Sequence, residues 1–504
     1  MPKTYAEFMD ELTAEELYKG LVAYGMFTEK LPPVLTSEPF FAYCQVRSNP
    51  FFDQKEPYIS YESMRNINIP RMLGIPNPMA YERLCRCIAD YWDRLKEHFT
   101  KQTVEQDYMV SRIHIRKMEG KTPIFFMNYK NWKLDGMPEP DLMIGCKYLV
   151  KADISSCFPS ICAQAISWAL VGKEAAKENK PEAQWCHQLS HYAQHTNNGE
   201  SRGLLIGPHS SNVLSEIILT AIDCHLYQKG WRYIRNIDDY TCYVPSYEDG
   251  QKFLVDLGEE LQSFDLSLNH KKTEICELPV ASVEQWVRKI NSVPLNSHHQ
   301  IDFRSARAYL DSAIELMQAN QMNSAILNYA IQVLKGQELT PGAKEYSIKT
   351  IFHLVLLYPY LIPQLETTVF SQLGVTSEQI AFLSQKIYQS GLQQHNYEAV
   401  CYAIYYAMKY GFELPNFHIA QVVHSGDCLF CLLSFLYFQR QGANDTVEEL
   451  KKYALQLSQN EEDFNKNWLF VYEILSEELT GDWLDMKQNG VSFIKPEYRY
   501  HYRR

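Results

Sequence analysis

The sequence predicts an α+β protein, with mixed helix and strand over residues 1–295 and helices alone over 296–504. Three observations carry this. Short runs rich in Tyr, Ile and Val, interrupted by carboxylates, recur over 148–161 and 231–246 as strands do. After about residue 295 the apolar residues fall at helical spacing instead. The composition, 46% hydrophobic and 21% charged over 504 residues, suits a folded chain and excludes a disordered or collagen-like one. This length allows two to four domains.

Residues 1–147 mix helical and extended signals, and Met79 to Phe99 reads as one amphipathic helix after the Ile-Pro-Asn-Pro run that ends at Pro78. Over 148–295 the segments 148–161 and 231–246 read as strands with tight turns. Residues 212–229 and 250–264 read as helices, and Leu266 to Leu278 as a short extended run. Over 296–504, Ala306, Leu310, Ala313, Ile314 and Met317 share one helical face, as do Val400, Ala403, Ile404, Ala407 and Met408. Breaks at Thr340-Pro341-Gly342, Tyr358-Pro359 and Leu414-Pro415 separate these segments. Paired helices stacked as a HEAT-like solenoid are expected. No strict repeat is present, and an irregular helical bundle is the alternative.

The longest nearly unbroken apolar run, Cys428 to Phe438, has 11 residues. Spanning a bilayer takes about 20, so this run is expected to be a buried helix and no membrane partner is foreseen. The 13 cysteines are odd in number and scattered, and no N-terminal signal peptide is evident. Both features point to the reducing cytoplasm. The formal charge is −12. Residues 1–295 carry 32 Lys+Arg against 38 Asp+Glu, and residues 296–504 carry 16 against 22. Neither part has the basic surplus that gripping a long duplex requires, so nucleic acid would have to bind through a local site.

The strongest chemical signal is acidic. Asp153 lies within Lys151-Ala-Asp-Ile-Ser-Ser-Cys-Phe-Pro-Ser-Ile161. Asp238 and Asp239 stand together within Tyr233-Ile-Arg-Asn-Ile-Asp-Asp-Tyr-Thr-Cys-Tyr243. Aspartate is disfavoured in strands, and adjacent acids at a hairpin tip repel one another unless a cation sits between them. Mg²⁺ prefers such oxygen ligands, and two metals about 4 Å apart can serve phosphoryl transfer. An Asp-Asp pair alone is commonly a turn or a helix cap. The neighbouring segments are what change its meaning.

Asp153 to Ile161 resembles motif A of reverse transcriptases, Asp-Ile-x-x-x-(aromatic)-Pro-Ser-Ile. Arg202 to Asp223, beginning Arg-Gly-Leu-Leu-Ile-Gly-Pro-His-Ser-Ser, resembles motif B. Arg235-Asn-Ile-Asp-Asp-Tyr240 resembles motif C, and Leu266-Ser-Leu-Asn-His-Lys-Lys-Thr-Glu-Ile275 motif D. These four, in order over about 125 residues, cover a polymerase palm. Ile69-Pro70-Arg71 and Ile75-Pro76-Asn77-Pro78 match the fingers more weakly. Ile166-Ser-Trp-Ala-Leu-Val-Gly-Lys173, Gly207-Pro-His-Ser-Ser211 and the helical C-terminal part are similar to the abortive-infection (Abi), AbiK-like, prophage-encoded branch. The resemblance implies a reverse-transcriptase-like fold: an N-terminal region and fingers over 1–147, a palm over 148–295 with fingers elements interleaved, and the HEAT-like helical domain over 296–504. It further implies defence against bacteriophage, DNA synthesis from dNTPs without a template, priming by a protein hydroxyl, a single-stranded product held covalently, and a homo-oligomer. One residue departs from the pattern. Motif C ordinarily has an aromatic two residues before the first paired acid, and here it is Asn236.

By the same resemblance Asp153, Asp238 and Asp239 are the catalytic metal ligands, helped by the Ile154 carbonyl, with Mg²⁺ or Mn²⁺ as the cofactor. Phe158 fits a gate against ribose 2′-hydroxyls or a core phenylalanine. Lys272 matches the motif D lysine, a proton donor to departing pyrophosphate, with Lys271 beside it. Arg71, Arg112 and Arg116 are candidates for the triphosphate, and Gly207, with Gly203 and Pro208, for close backbone approach to nucleotide or primer. Ser210 and Ser211 are expected to cap the helix that follows. Arg235 is expected to brace the hairpin.

The priming residue is not identified. Tyr5, Tyr18, Tyr24, Tyr498, Tyr500 and Tyr502 lie near the termini, and the tail Lys495 to Arg504 is expected to be loosely held. His424, Cys428 and Cys431 fall on one helical stripe but lack a fourth zinc ligand, so a packed helix is expected. Cys157 has no histidine base near it, and no Gly-x-x-x-x-Gly-Lys-Ser/Thr loop is present, which speaks against an ATPase. Two alternatives stand beside the template-free polymerase. One is a templated reverse transcriptase using a separate RNA. The other is a silent polymerase-like scaffold whose helical part binds protein.

Overall fold

Antiparallel strands built on the β-prone runs form two sheets, and everything else described is helix or loop. The computed structural model describes residues 3–112, 115–117, 136–178, 180–281, 284–293, 295 and 300–499. A hairpin pairs β1 (Ile59–Met64) with β2 (Pro70–Ile75). A four-stranded sheet runs β4-β5-β3-β6, with β3 at Tyr148–Asp153, β4 at Tyr233–Asn236, β5 at Asp239–Val244 and β6 at Glu274–Glu277. Its register sets Asp153 opposite Asp239 at one end.

The helix His209–Gln228 is buried without a break from Ser210 to Asp223 and crosses the core. It starts at His209 rather than 212, after Pro208, so Ser210 and Ser211 lie inside its first turn and do not cap it. A second helix, Tyr247–Ser263, is capped by Ser246, whose hydroxyl accepts the Asp249 N–H at 3.1 Å. The expected single helix from Met79 to Phe99 is two, Pro78–Asp90 and Trp92–Thr103. The backbone leaves the helical region at Tyr91 (φ −102°, ψ 17°), and Trp92 turns inward so that its indole N–H donates to the Leu12 carbonyl at 2.8 Å.

Two expected strands are shorter than the sequence implied. The first stops at Asp153: Ser156 is left-handed (φ 47°) and Cys157–Ser160 forms a helical turn. In the Leu266–Leu278 run only Glu274–Glu277 is a strand, because residues 267–273 bend around Asp153 instead. The Ser155 N–H donates to the Ser267 carbonyl, and the Asn269 N–H to the Asp153 carbonyl at 2.7 Å.

Among the described residues from Phe303 onward every regular element is a helix, Phe303–Ala319, Pro341–Leu357, Ser377–Gln393, Tyr397–Tyr410, Cys428–Gln441 and Asn444–Ser458 being the longest. The apolar run from Cys428 to Phe438 is buried at every residue, as is the stretch Glu398–Met408. One side of this layer meets the N-terminal part. The Tyr402 hydroxyl donates to the Leu31 carbonyl at 3.3 Å, and Glu398 accepts the Met64 N–H and the Ser63 hydroxyl of β1, both at 2.7 Å. A single apolar core therefore runs from Tyr5 to Tyr498, with a small satellite at Ile301, Ala306 and Ala343.

The tail is not loose over residues 495–499. Lys495 N–H donates to the Val34 carbonyl, Thr36 N–H to the Phe493 carbonyl, and Tyr498 packs its buried ring on Tyr405. Residues 500–504, with Tyr500 and Tyr502, lie outside the described residues.

Glu398 makes the contact between these two regions sensitive to pH. Burial pushes its carboxyl up to about 7, against 4.5 in a solvated chain. A raised carboxyl binds its proton more tightly in the folded state, so its contribution is complete below about pH 4.5 and fades as pH climbs through 7. Urea midpoints should fall between pH 5 and 8, by a free energy of about 3 kcal/mol for this one group. The Glu398→Gln variant should show a flatter profile over that range.

Candidate active site

Asp238 is placed by a strained turn. The β4–β5 hairpin is closed by Ile237 and Asp238 alone, and Ile237 is left-handed (φ 57°). A β-branched residue resists that conformation at a cost of about 1–3 kcal/mol, so surrounding bonds must impose it. Arg235 supplies them. Its side chain is fully buried, and Nη1 donates to the Ile237 carbonyl at 3.0 Å. The same guanidinium is held by Glu216 (3.1 Å) and Asp223 (2.6 Å), seven residues apart on one face of the helix His209–Gln228. Tyr5 Oη donates to Glu216 at 2.9 Å, and Tyr233 Oη to Asp223 at 2.8 Å. Burial raises the Asp223 carboxyl pKa, although Arg235 draws it down.

The hairpin tip and the end of β3 bring Asp153, Asp238 and Asp239 together, with carboxylate oxygens all within 4.8 Å of one another. Ile154 lies beside them, its N–H donating to the Asp238 carbonyl at 3.1 Å. Asp239 is pushed up to about 6, by burial first and then by Asp238 and Asp153. Burial and Asp153 also raise Asp238. Three carboxylates this close together form a site short of positive charge. An all-oxygen donor set of this kind suits a hard divalent cation such as Mg²⁺.

Lys272 supplies part of that charge. Its Nζ lies 2.6 Å from Asp153 Oδ2, and this contact first raises its own pKa. Asn269, in the motif D run, joins Lys272 here. Its amide donates to Asp153 Oδ1 at 2.9 Å, so both oxygens of Asp153 are engaged. The sequence marks Glu216 and Asp223 only faintly. The only two carboxylates of the helix His209–Gln228, seven residues apart, and an arginine directly after Ile234 in the strand that follows are their trace in the sequence.

Of the other candidates, Arg71 on β2 is close enough for its charge to draw the Asp238 carboxyl down. The β2 edge docks on the motif B segment, where the Gly74 N–H donates to the Ile206 carbonyl at 2.9 Å. The next residue, Gly207, has φ +128°, a conformation that side chains oppose. Phe158 is half-buried against the core, and its carbonyl accepts the Leu204 N–H at 2.9 Å. Arg112 and Arg116 are held elsewhere. Both are buried, Arg112 lies 3.6 Å from Glu139, and Arg116 sits over the Phe8 ring at 5.3 Å. Lys271, Lys272, Lys151, Asp239, Thr241 and Glu274 help line an open hollow of about 400 Å³.

The cysteines stay structural. Burial raises the thiol pKa of Cys157, Cys428 and Cys431, which keeps them protonated and unreactive. Tyr5, Tyr18 and Tyr498 are buried, so as folded they are not the free hydroxyls that priming was expected to need. Tyr18 is tied to Glu82 at 2.7 Å, whereas Tyr24 keeps a partly exposed ring.

Removing the brace should cost far more than its surface counterpart would. Arg235→Met leaves Glu216 and Asp223 buried without their cation, and breaking a buried pair in this way costs about 3–5 kcal/mol. A fall of that size in unfolding free energy, read from urea midpoints, is the expected result.

One family model covers the part of the chain that holds this site. Residues 133–329 match the family model described as reverse transcriptase (RNA-dependent DNA polymerase). No curated protein matches the chain. Among solved structures, the chain is similar to apo telomerase from Candida tropicalis truncated from its C-terminal domain. The identity is 12%, with 47% of this chain and 52% of that one covered, at a TM-score of 0.29. It thus spans about half the length of that relative. Longer apo telomerase from Candida tropicalis matches at 10% identity, covering 74% and 68%, with a TM-score of 0.31. Telomerase from Candida albicans with a fragment of telomeric RNA matches at 10% identity, covering 70% and 66%, with a TM-score of 0.28. The matched span contains the whole acidic constellation, and on it the chain carries a reverse transcriptase domain.

Proposed function

We propose that this protein is a DNA polymerase that joins dNTPs by two-metal phosphoryl transfer, without a template and from a hydroxyl of its own chain. We further propose that it serves in abortive-infection defence against phage. The observation that carries the polymerase reading is the convergence of Asp153, Asp238 and Asp239 on one point from β3 and the β4–β5 hairpin. Bound there, Mg²⁺ or Mn²⁺ would polarise the phosphate and activate the attacking oxygen. The chain's own groups have separate tasks. The three carboxylates hold the ions, Lys272 keeps a protonated amine at their edge, and Arg71 offers charge to the triphosphate.

Three features support the finer reading. Asn236 replaces the motif C aromatic, and its side-chain oxygen is buried without a hydrogen-bond partner among the described residues. A primer end would therefore meet an amide acceptor in place of a ring. The net charge of −12 suits an enzyme that does not hold a long heteroduplex. The Abi-like motifs of 166–173 and 207–211 support the defence role, a covalently held single-stranded product and a homo-oligomer. A cytoplasmic setting fits the free cysteines, and among the described residues no helix is long and apolar enough to cross a membrane.

Purified protein given Mg²⁺ and labelled dNTPs, with no nucleic acid added, should incorporate label that stays with the protein through phenol extraction. Peptide mapping of that product then names the priming residue. Incorporation that requires added RNA template and primer would make it a templated reverse transcriptase. No incorporation with Mg²⁺ or Mn²⁺ would leave a scaffold. Asp153→Asn, Asp238→Asn and Asp239→Asn should each abolish synthesis. Asp239→Asn should also raise the metal-free thermal midpoint at pH 8, because it removes a charge crowded by Asp238 and Asp153.

Phe158→Ala should relax discrimination against ribonucleotides in competition with dNTPs. Unchanged discrimination would assign Phe158 to packing alone.

A further inference from the structure

A second cluster of donor atoms lies outside the palm. His191 and His195 are four residues apart on the helix Gln184–Thr196 and so share a face, with ring centroids 3.9 Å apart. Asp53, from the segment leading into β1, reaches both. Its Oδ2 lies 2.9 Å from His191 Nε2, and its Oδ1 lies 3.0 Å from His195 Nδ1. Only the first contact is a hydrogen bond. His195 Nδ1 is shielded from solvent, and despite its closeness to Asp53 it is not aligned to form one. The donor atoms of all three residues lie within 4.8 Å of one another.

A simple ion pair would need one histidine. Two imidazoles converging on one carboxylate, with a ring nitrogen left unbonded, form instead the nitrogen-rich donor set of a borderline transition metal. Zinc bonds of about 2.0–2.1 Å in a tetrahedron set donors roughly 3.3–3.5 Å apart, so the two nitrogen–oxygen distances, 2.9 and 3.0 Å, need to open by only a few tenths of an ångström. The backbone is already tied for it. The Glu56 N–H donates to the His195 carbonyl at 2.9 Å, and the Asn198 N–H to the Glu56 carbonyl at 3.0 Å.

We propose that Asp53, His191 and His195 bind one divalent transition-metal ion of the zinc class, with water in the fourth position. The ion would clamp the segment entering β1 to this helix. It would thereby tie the hairpin that carries Arg71 to the chain that continues into Gly203 and Gly207. The site differs in chemistry from the all-oxygen palm cluster and stands whether or not the chain polymerises.

Metal-stripped full-length protein titrated with Co²⁺ tests this. One equivalent should give the strong visible absorption of low-coordinate, nitrogen-bound Co²⁺, which Zn²⁺ should displace. The band should persist in Asp153→Asn and vanish in His195→Ala. Zn²⁺ affinity, measured against a chelator, should fall by more than about 100-fold in His195→Ala, beyond the 10–100-fold typical of changes one shell further out. Zn²⁺ should raise the thermal midpoint of the parent protein and not of that variant. His191→Ala and Asp53→Asn alter half-exposed side chains and keep the test readable if His195→Ala disturbs its helix. Absence of the band in the parent protein, or its survival in all three variants, would overturn the proposal.

Discussion

The acidic site depends on one buried arginine. Arg235 joins Glu216 and Asp223, on a helix, to the carbonyl of Ile237, at the tip of a hairpin. Buried ion clusters are poor sources of net stability, since desolvation offsets most of their Coulomb gain. Their geometry is another matter. Here the guanidinium fixes a turn that an isoleucine would not choose, and the next residue in that turn is Asp238. The strain at Ile237 and the burial of Arg235 are two sides of one arrangement, in which helix packing is converted into the placement of a carboxylate.

A second set of bonds completes the site from the opposite side. Residues 267–273 give up strand pairing to wrap the end of β3, and Asn269 and Lys272 take one oxygen each of Asp153. Asp153 is thus held by neutral and cationic donors, whereas Asp238 and Asp239 face other acids and are driven toward protonation. The asymmetry has a chemical reading. The neighbours of Asp153 fix its position, and the other two carboxylates carry the unmet demand for a cation.

The acidic residues were legible because chemistry leaves a linear trace there: Asp153, Asp238 and Asp239 sit in short motifs with fixed spacing. The hairpin was legible from β-prone runs on either side of Asp238 and Asp239. Asn269 was hidden because its task depends on a loop that folds back across more than a hundred residues to reach Asp153. Glu216 and Asp223 look in sequence like ordinary acids on a helix, and only the closed core reveals that Arg235 lies between them. The break at Tyr91 was hidden for a similar reason, since hydrophobic periodicity continues through it while the bond from Trp92 to Leu12 decides the bend. Arg112 shows the limit of charge counting: a guanidinium in sequence carries no mark of whether it will face solvent or Glu139.

Burial also bears on how synthesis could begin. On the proposed reading, a priming hydroxyl would have to reach the carboxylates at Asp153, Asp238 and Asp239, and to do so without dismantling the core. Tyr5 fails that condition because its hydroxyl belongs to the Glu216 end of the arginine brace, so withdrawing it would loosen the turn that places Asp238. Tyr498 fails differently. The chain before it is zipped to residues 34–36, and its ring lies against Tyr405 inside the helical layer. The same contacts that make the N-terminal part and the helical part share one core keep these tyrosines away from the three carboxylates. A primer drawn from this chain therefore has to come from hydroxyls that the core does not use, which shifts attention from the sequence termini as such to side chains with exposed rings.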